Sequence, residues 1–184
     1  MKELSESLVG FLKDEDWRFE ELDGEKTYRL HFDGRHGSYS MMIFIDNERR
    51  MFNVCTKCPI DVPKSKLTAI AELISRINCN LTLGNFDLDI DDGLIFFKTG
   101  MKAGKANPEH ETISTVIFGN CYIIDRYLPT LASVIYGRLS PKKAIQLFWD
   151  SKDEYTQEYE EDSFEDEPPS NKRFSGRMGF FSDN

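Results

Sequence analysis

An α+β fold, an antiparallel sheet flanked by helices, is what this sequence predicts, and three features carry the prediction. Alternating segments follow one another between Trp17 and Thr56, with short turn-formers between them. Short separators favour hairpins, and successive hairpins make an antiparallel meander. Apolar stripes at helical spacing occupy separate stretches, residues 67–77 and 113–135. Between the stripes, residues 74–98 hold a helix end, an Asn-rich exit, a Gly-Asn-Phe turn, an alternating strand, an acidic hairpin and a second strand.

Taken in order, Leu4, Leu8, Phe11 and Leu12 place a first helix over residues 2–14. Strands follow over 17–22, 27–32, 39–45 and 51–56, separated by Asp23-Gly24, by Asp33-Gly34 with Gly37, and by Asp46-Asn47. In the third strand Tyr39, Met41, Ile43 and Ile45 share one face, while Met42 and Phe44 lie on the other. A strand apolar on both faces is central, or has its second face covered by another subunit. The fourth strand approaches Pro59 and is read as an edge, because proline cannot continue a ladder.

Pro63 suits the first turn of a helix, whose stripe is Leu67, Ile70, Ala71, Ile74 and Ile77, with Asn78 and Asn80 ending it. Phe86, Leu88 and Ile90 alternate with Asp87 and Asp89, and Asp91-Asp92-Gly93 turns the chain into a strand over 94–98. Asn107-Pro108 with Glu109 and Glu111 starts a long helix with acids where its dipole favours them. Its stripe is Ile113, Val116, Ile117, Asn120, Ile124, Leu128, Leu131 and Ile135, and Pro129 should kink or break it near Asp125. Ser140-Pro141 opens a last short helix with Ala144, Leu147, Phe148 and Trp149, and the pattern stops at Asp150.

Residues 1–150 are therefore read as one domain and 151–184 as an acidic C-terminal tail. Of the formal charge of −9, the first 150 residues carry −3 and the last 34 carry −6. A tail so polar buries too little apolar area to repay its ordering entropy, yet Phe164, Phe174 and Phe180 could anchor a partner. An acidic body lacks the attraction that drives non-specific nucleic-acid binding, and anionic membranes are poor partners for the same reason. No window reaches the roughly 18 uncharged apolar residues of a membrane span, and the first residues do not read as a secretory signal, so the expected location is the cytoplasm.

Four cysteines, Cys55, Cys58, Cys79 and Cys121, fit reduced thiols there. Cys55-Thr-Lys-Cys58 has a redox-like or metal-like spacing, but zinc needs a second ligand pair, and a thioredoxin-like motif would open a helix after a strand. Asp87, Asp89 and Asp91 imitate the start of a calcium loop, but its sixth and twelfth positions hold Asp92 and Lys98 instead of Gly and Glu. His31, Asp33, Arg35 and His36 surround a Gly-rich turn with no nucleophile or paired carboxylate at hand, which reads as a solvent-exposed hairpin. No phosphate loop, dinucleotide fingerprint or nucleophile elbow occurs, so no cofactor and no metal are expected.

Three residue sets carry a family resemblance: Ser75-Arg76-Ile77-Asn78, Gly84-Asn85-Phe86-Asp87-Leu88-Asp89, and Asp125-Arg126-Tyr127-Leu128-Pro129. With the element order from Leu4 to Trp149, they resemble the YbjN family, whose domain is similar to type III secretion chaperones. The resemblance implies a chaperone-like α+β fold and no established enzyme activity. It further implies a small acidic homodimer that engages an extended segment of a protein partner. The expected function is thus a non-catalytic protein-binding module, chaperone-like or a regulatory adaptor; a thiol sensor or enzyme using Cys55 and Cys58 is the alternative. Phe52 and Val54 on the expected edge strand, with Phe174 and Phe180 in the tail, are the candidate partner-binding residues. On that reading a lysine at Val54 would abolish partner capture and spare the fold.

Overall fold

The computed structural model describes residues 3–22 and 26–160. The tail anchors Phe174 and Phe180 lie outside these residues. The described chain runs α1 (Leu4–Asp14), β1 (Phe19–Leu22), β2 (Thr27–Asp33), β3 (Ser38–Asp46), β4 (Met51–Lys57), a 3-10 turn (Lys64–Lys66), α2 (Leu67–Asn78), β5 (Asn85–Asp89), β6 (Leu94–Lys102), α3 (His110–Ile135) and α4 (Pro141–Glu160). All six strands join one antiparallel sheet in the order β1-β2-β3-β4-β6-β5. This is the α+β architecture expected from the sequence, with the meander intact and β3 in its interior.

The core forms where one sheet face meets the helices. Tyr28, Leu30 and Phe32 of β2, Tyr39, Met41, Ile43 and Ile45 of β3, and Phe52 and Val54 of β4 are all buried on that face. Phe97 of β6 and Phe86 of β5 complete it, their rings 4.6 Å apart. The α3 stripe fills the other side: every residue named for it from Ile113 to Ile135 is buried. Packing of α3 on β4 and β6 is fixed by a polar bolt at Asn120. Its Oδ1 accepts the Thr56 hydroxyl at 2.6 Å, and its Nδ2 donates to the Phe97 carbonyl and Thr99 Oγ1, both at 3.2 Å. Every polar atom of this fully buried amide is thereby partnered, as burial requires.

Several expectations need correction. The fourth strand is not an edge. β4 is hydrogen-bonded to β3 on one side and β6 on the other, because the second strand of the later hairpin inserts beside it and leaves β5 outermost. Pro59 lies beyond the last ladder bond, Cys58 N–H to the Ile95 carbonyl, so it ends the strand without blunting an edge. In α2, Leu73 is buried and Ala71 exposed, and Ile90 falls past the end of β5, where it is exposed. The last helix does not stop at Asp150: α4 continues to Glu160, since Lys, Glu and Gln sustain a helix after its apolar stripe ends. Within that stripe Ile145, not Leu147, faces the core.

Pro129 does not break α3, which runs unbroken from His110 to Ile135. A proline deprives the carbonyl four residues earlier, here that of Asp125, of its helical partner. His36 from the β2–β3 loop fills the gap, with Nδ1 3.1 Å from the Asp125 carbonyl oxygen.

Candidate protein-binding surface

Strand alternation sends the remaining side chains to the opposite face of the sheet. The register aligns them in rows: Phe44, Asn53 and Gly100; Arg29, Met42, Cys55, Lys98 and Asn85; His31, Ser40, Lys57, Phe96 and Asp87. Arg29, His31, Asn53, Lys57, Lys98 and Lys102 are exposed, so this face looks into solvent. Phe44 stands in it with 43% of its surface exposed, Met42 and Cys55 are half-buried near it, and Leu94 and Phe96 are half-buried further along the same face. A sheet face that sets aromatic and thioether groups among charged ones can grip an extended apolar chain while remaining soluble. The alternating pattern of β3 already contained Met42 and Phe44. What reasoning along the sequence missed was Phe96, because only the pairing of β6 with β4 brings it onto the same face.

The two sheet edges are unlike each other. On the outer side of β5, Asn78 at the end of α2 holds both main-chain groups of Phe86: its Nδ2 donates to the carbonyl at 2.9 Å and its Oδ1 accepts the amide at 2.8 Å. The carboxamide thus stands in for a neighbouring strand and closes that edge in part. The Asn-rich helix exit and the Gly-Asn-Phe turn therefore work as one unit. β1 has β2 on one side only, and its four residues form the other edge.

The β2–β3 hairpin is exposed at His31, Asp33, Arg35 and His36, as expected, and it is also anchored to the body. Asp125, buried on α3, accepts the Arg35 amide at 3.0 Å, the His36 amide at 2.9 Å and the Tyr39 hydroxyl at 2.8 Å. His36 Nδ1 lies 3.2 Å from its Oδ2. Gly34 has to be glycine here, since a Cβ would collide with that carboxylate. The Asp125–Pro129 motif is accordingly a clamp that ties one end of the sheet to the central helix. It offers no substrate an open face.

The two cysteines of the alternative reading point apart. Cys55 alternates with the buried Val54 and Thr56 and so lies on the open face, whereas Cys58 lies on the core side. Burial raises both thiols, that of Cys58 to about 11, which leaves them protonated near neutral pH and poor as nucleophiles. Among the described residues no group of three or more His, Cys, Asp or Glu could hold a metal ion, and no helix is long and apolar enough to cross a membrane.

Residues 5–118 match the YbjN family, described as "Putative bacterial sensory transduction regulator". The chain belongs to the YbjN family. No functionally curated protein matches it in sequence. Among solved structures, E. coli YbjN, described as a "putative transcription regulator", is 14% identical, with a TM-score of 0.53 over 70% of this chain and 89% of that one. A chain of the ExsC-ExsE complex is 15% identical, also at a TM-score of 0.53, covering 70% of this chain and 92% of that one. A chain of the HopA1-SchA chaperone-effector complex is 15% identical, covering 68% and 94%, with a TM-score of 0.48. The family match contains the whole sheet, the Asn78–Phe86 closure and the open face; the Asp125 clamp follows it along the chain.

Of the residues named from sequence, the structure places Phe52 and Val54 together, fully buried on the core face of β4. They are reachable neither from an edge nor from the open face. Phe44, Met42 and Phe96 are the residues that the same strands and their neighbour do expose.

Proposed function

We propose that this YbjN-family protein is a non-catalytic protein-binding module, chaperone-like or a regulatory adaptor, that holds an extended segment of a protein partner on the open face of its sheet. The observation that carries the reading is Phe44, an exposed aromatic residue in the middle of an ordered sheet, with Met42 and Cys55 beside it and Phe96 further along the same face. Support comes from the fold it shares with a chain of a two-protein complex. The free thiols fit a reducing compartment, the cytoplasm. The thiol-sensor alternative is weakened by Cys55 and Cys58 lying on opposite faces, each with a raised pKa.

Replacing Phe44 by Glu tests the surface. The change should leave stability within about 1 kcal/mol, as substitutions at exposed positions do. In pull-downs from the native cell followed by mass spectrometry, the variant should lose the partners that the wild type recovers. A variant that keeps every partner would move the site elsewhere.

The module acts as a homodimer in this reading. A second exposed apolar surface exists on the helical side, where Tyr122 of α3 and Leu147 and Trp149 of α4 reach solvent. Self-association there leaves the sheet face free for the partner, and a stable contact buries on the order of 1,600 Å². Light scattering at micromolar concentration is expected to give twice the mass of one chain. The mass of a single chain would remove the dimer.

A further inference from the structure

The open face exposes apolar surface in the unbound chain, and a further 24 residues, 161–184, follow the last described one. Within them, Lys172-Arg173-Phe174-Ser175-Gly176-Arg177-Met178-Gly179-Phe180-Phe181 carries three cations and no acid. Written as an extended strand, this stretch places Phe174, Gly176, Met178 and Phe180 on one side, and Arg173, Ser175 and Arg177 on the other. We propose that this segment docks in extended form on the chain's own open sheet face, between Phe44 and Phe96, and occupies the partner site until a partner displaces it. The inference rests on the open face being the partner surface.

Dimensions, charge and reach all fit. Gly100 shares the row of Phe44 two strands away, and Phe96 lies four residues further along β6. By strand spacing and rise, the two aromatic residues stand about 16 Å apart, against about 20 Å from Phe174 to Phe180 in an extended chain. Beside Phe96 and Leu94 the register places Asp87 and Asp89, and Asp91 and Asp92 follow in the adjoining turn. On the face itself Arg29, Lys57 and Lys98 are paired with Glu20, Asp61 and Asp87, whereas Asp89, Asp91 and Asp92 are exposed at its end and form an anionic rim suited to Lys172, Arg173 and Arg177. The same rim disfavours Glu161, Asp162, Glu165, Asp166 and Glu167 beside it. Lys172 lies twelve residues beyond the end of α4 at Glu160, a reach of up to about 40 Å. A helix layer on a sheet is only about 20 Å thick, so the segment can pass round an edge.

Cys55 sits in the row between those of Phe44 and Phe96 and reports on the face directly. In the full-length chain, N-ethylmaleimide modification of Cys55, followed by peptide mass spectrometry, should be compared with that of the F174D/F180D double variant. Exposed Cys79 at the end of α2 serves as the internal control. The variant should react roughly tenfold faster at Cys55 and unchanged at Cys79, as for a tail that covers the face about nine-tenths of the time. Wild-type protection should not depend on protein concentration, and a synthetic peptide of residues 170–184 should restore it to the variant while a scrambled one does not. Equal Cys55 rates would overturn the inference, and protection that grows with concentration would assign the face to a second copy instead. Either result leaves the partner surface itself to be judged by F44E; conversely, tail protection with partner capture unaffected by F44E would reject that surface and retain the docking.

Discussion

Replacing Asp125 by alanine is expected to destabilise the chain by about 3–5 kcal/mol and lower its melting temperature by about 10–15 °C. The carboxylate is buried and gathers two main-chain amides and a hydroxyl from a loop some ninety residues away in sequence. Alanine would strand the buried Tyr39 hydroxyl and release the part-buried amides of Arg35 and His36. Each unsatisfied buried donor costs about 1–3 kcal/mol. The hydroxyl cannot escape by ionising. Burial first, and then the Asp125 carboxylate beside it, push its pKa far above the usual tyrosine range, so it stays a donor at any working pH. Tyr39→Phe should cost much less, about 1 kcal/mol, because Asp125 keeps its remaining donors. Urea titrations followed by circular dichroism measure all three proteins. An alanine variant within about 1 kcal/mol of wild type would show that the clamp does not hold the loop.

Val54→Lys should leave no folded protein. Val54 is fully buried, lies opposite Ile43 on one side and Thr99 on the other, and faces the α3 layer. An ammonium placed there loses its hydration and gains no partner, a penalty of several kcal/mol against a total stability of about 5–15 kcal/mol. The opposite outcome, a folded variant deficient only in partner capture, follows if β4 is an edge, which the pairing with β6 rules out. Phe44→Lys, one strand away on the other face, is the control and should fold. The comparison is made on soluble yield and the circular dichroism spectrum. A V54K protein that melts like wild type would show that this side of β4 is not the core.

The contrast between Val54 and Phe44 marks where reading along the chain ends. Period-two alternation in β3 separates Tyr39, Met41, Ile43 and Ile45 from Met42 and Phe44, and the structure keeps that division, the first set buried and the second reaching solvent. Alternation defines two faces but not which neighbour lies at each side of the strand. The neighbour of β4 is β6, more than forty residues later in sequence, and no local feature of residues 51–57 announces it. Hence local pattern alone puts Phe52 and Val54 on an edge and does not bring Phe96 onto the open face.

The motifs behave in the same way. Asn78 and the Gly84–Phe86 turn are close in sequence and recognisable as a unit, though the two bonds between Asn78 and Phe86 required the fold to bring the helix end against the strand. Pro129 signals a disturbed helix, and the helix is indeed deprived of a bond there, yet it continues because His36 meets the vacant carbonyl. Element types, the meander, the buried stripe of α3 and membership of a recognisable family are legible along the chain, since periodicity, turn chemistry and short motifs act over a few residues. Strand order, the clamp at Asp125 and the composition of the open face were decided by tertiary structure alone, because each depends on groups forty to ninety residues apart meeting at one place.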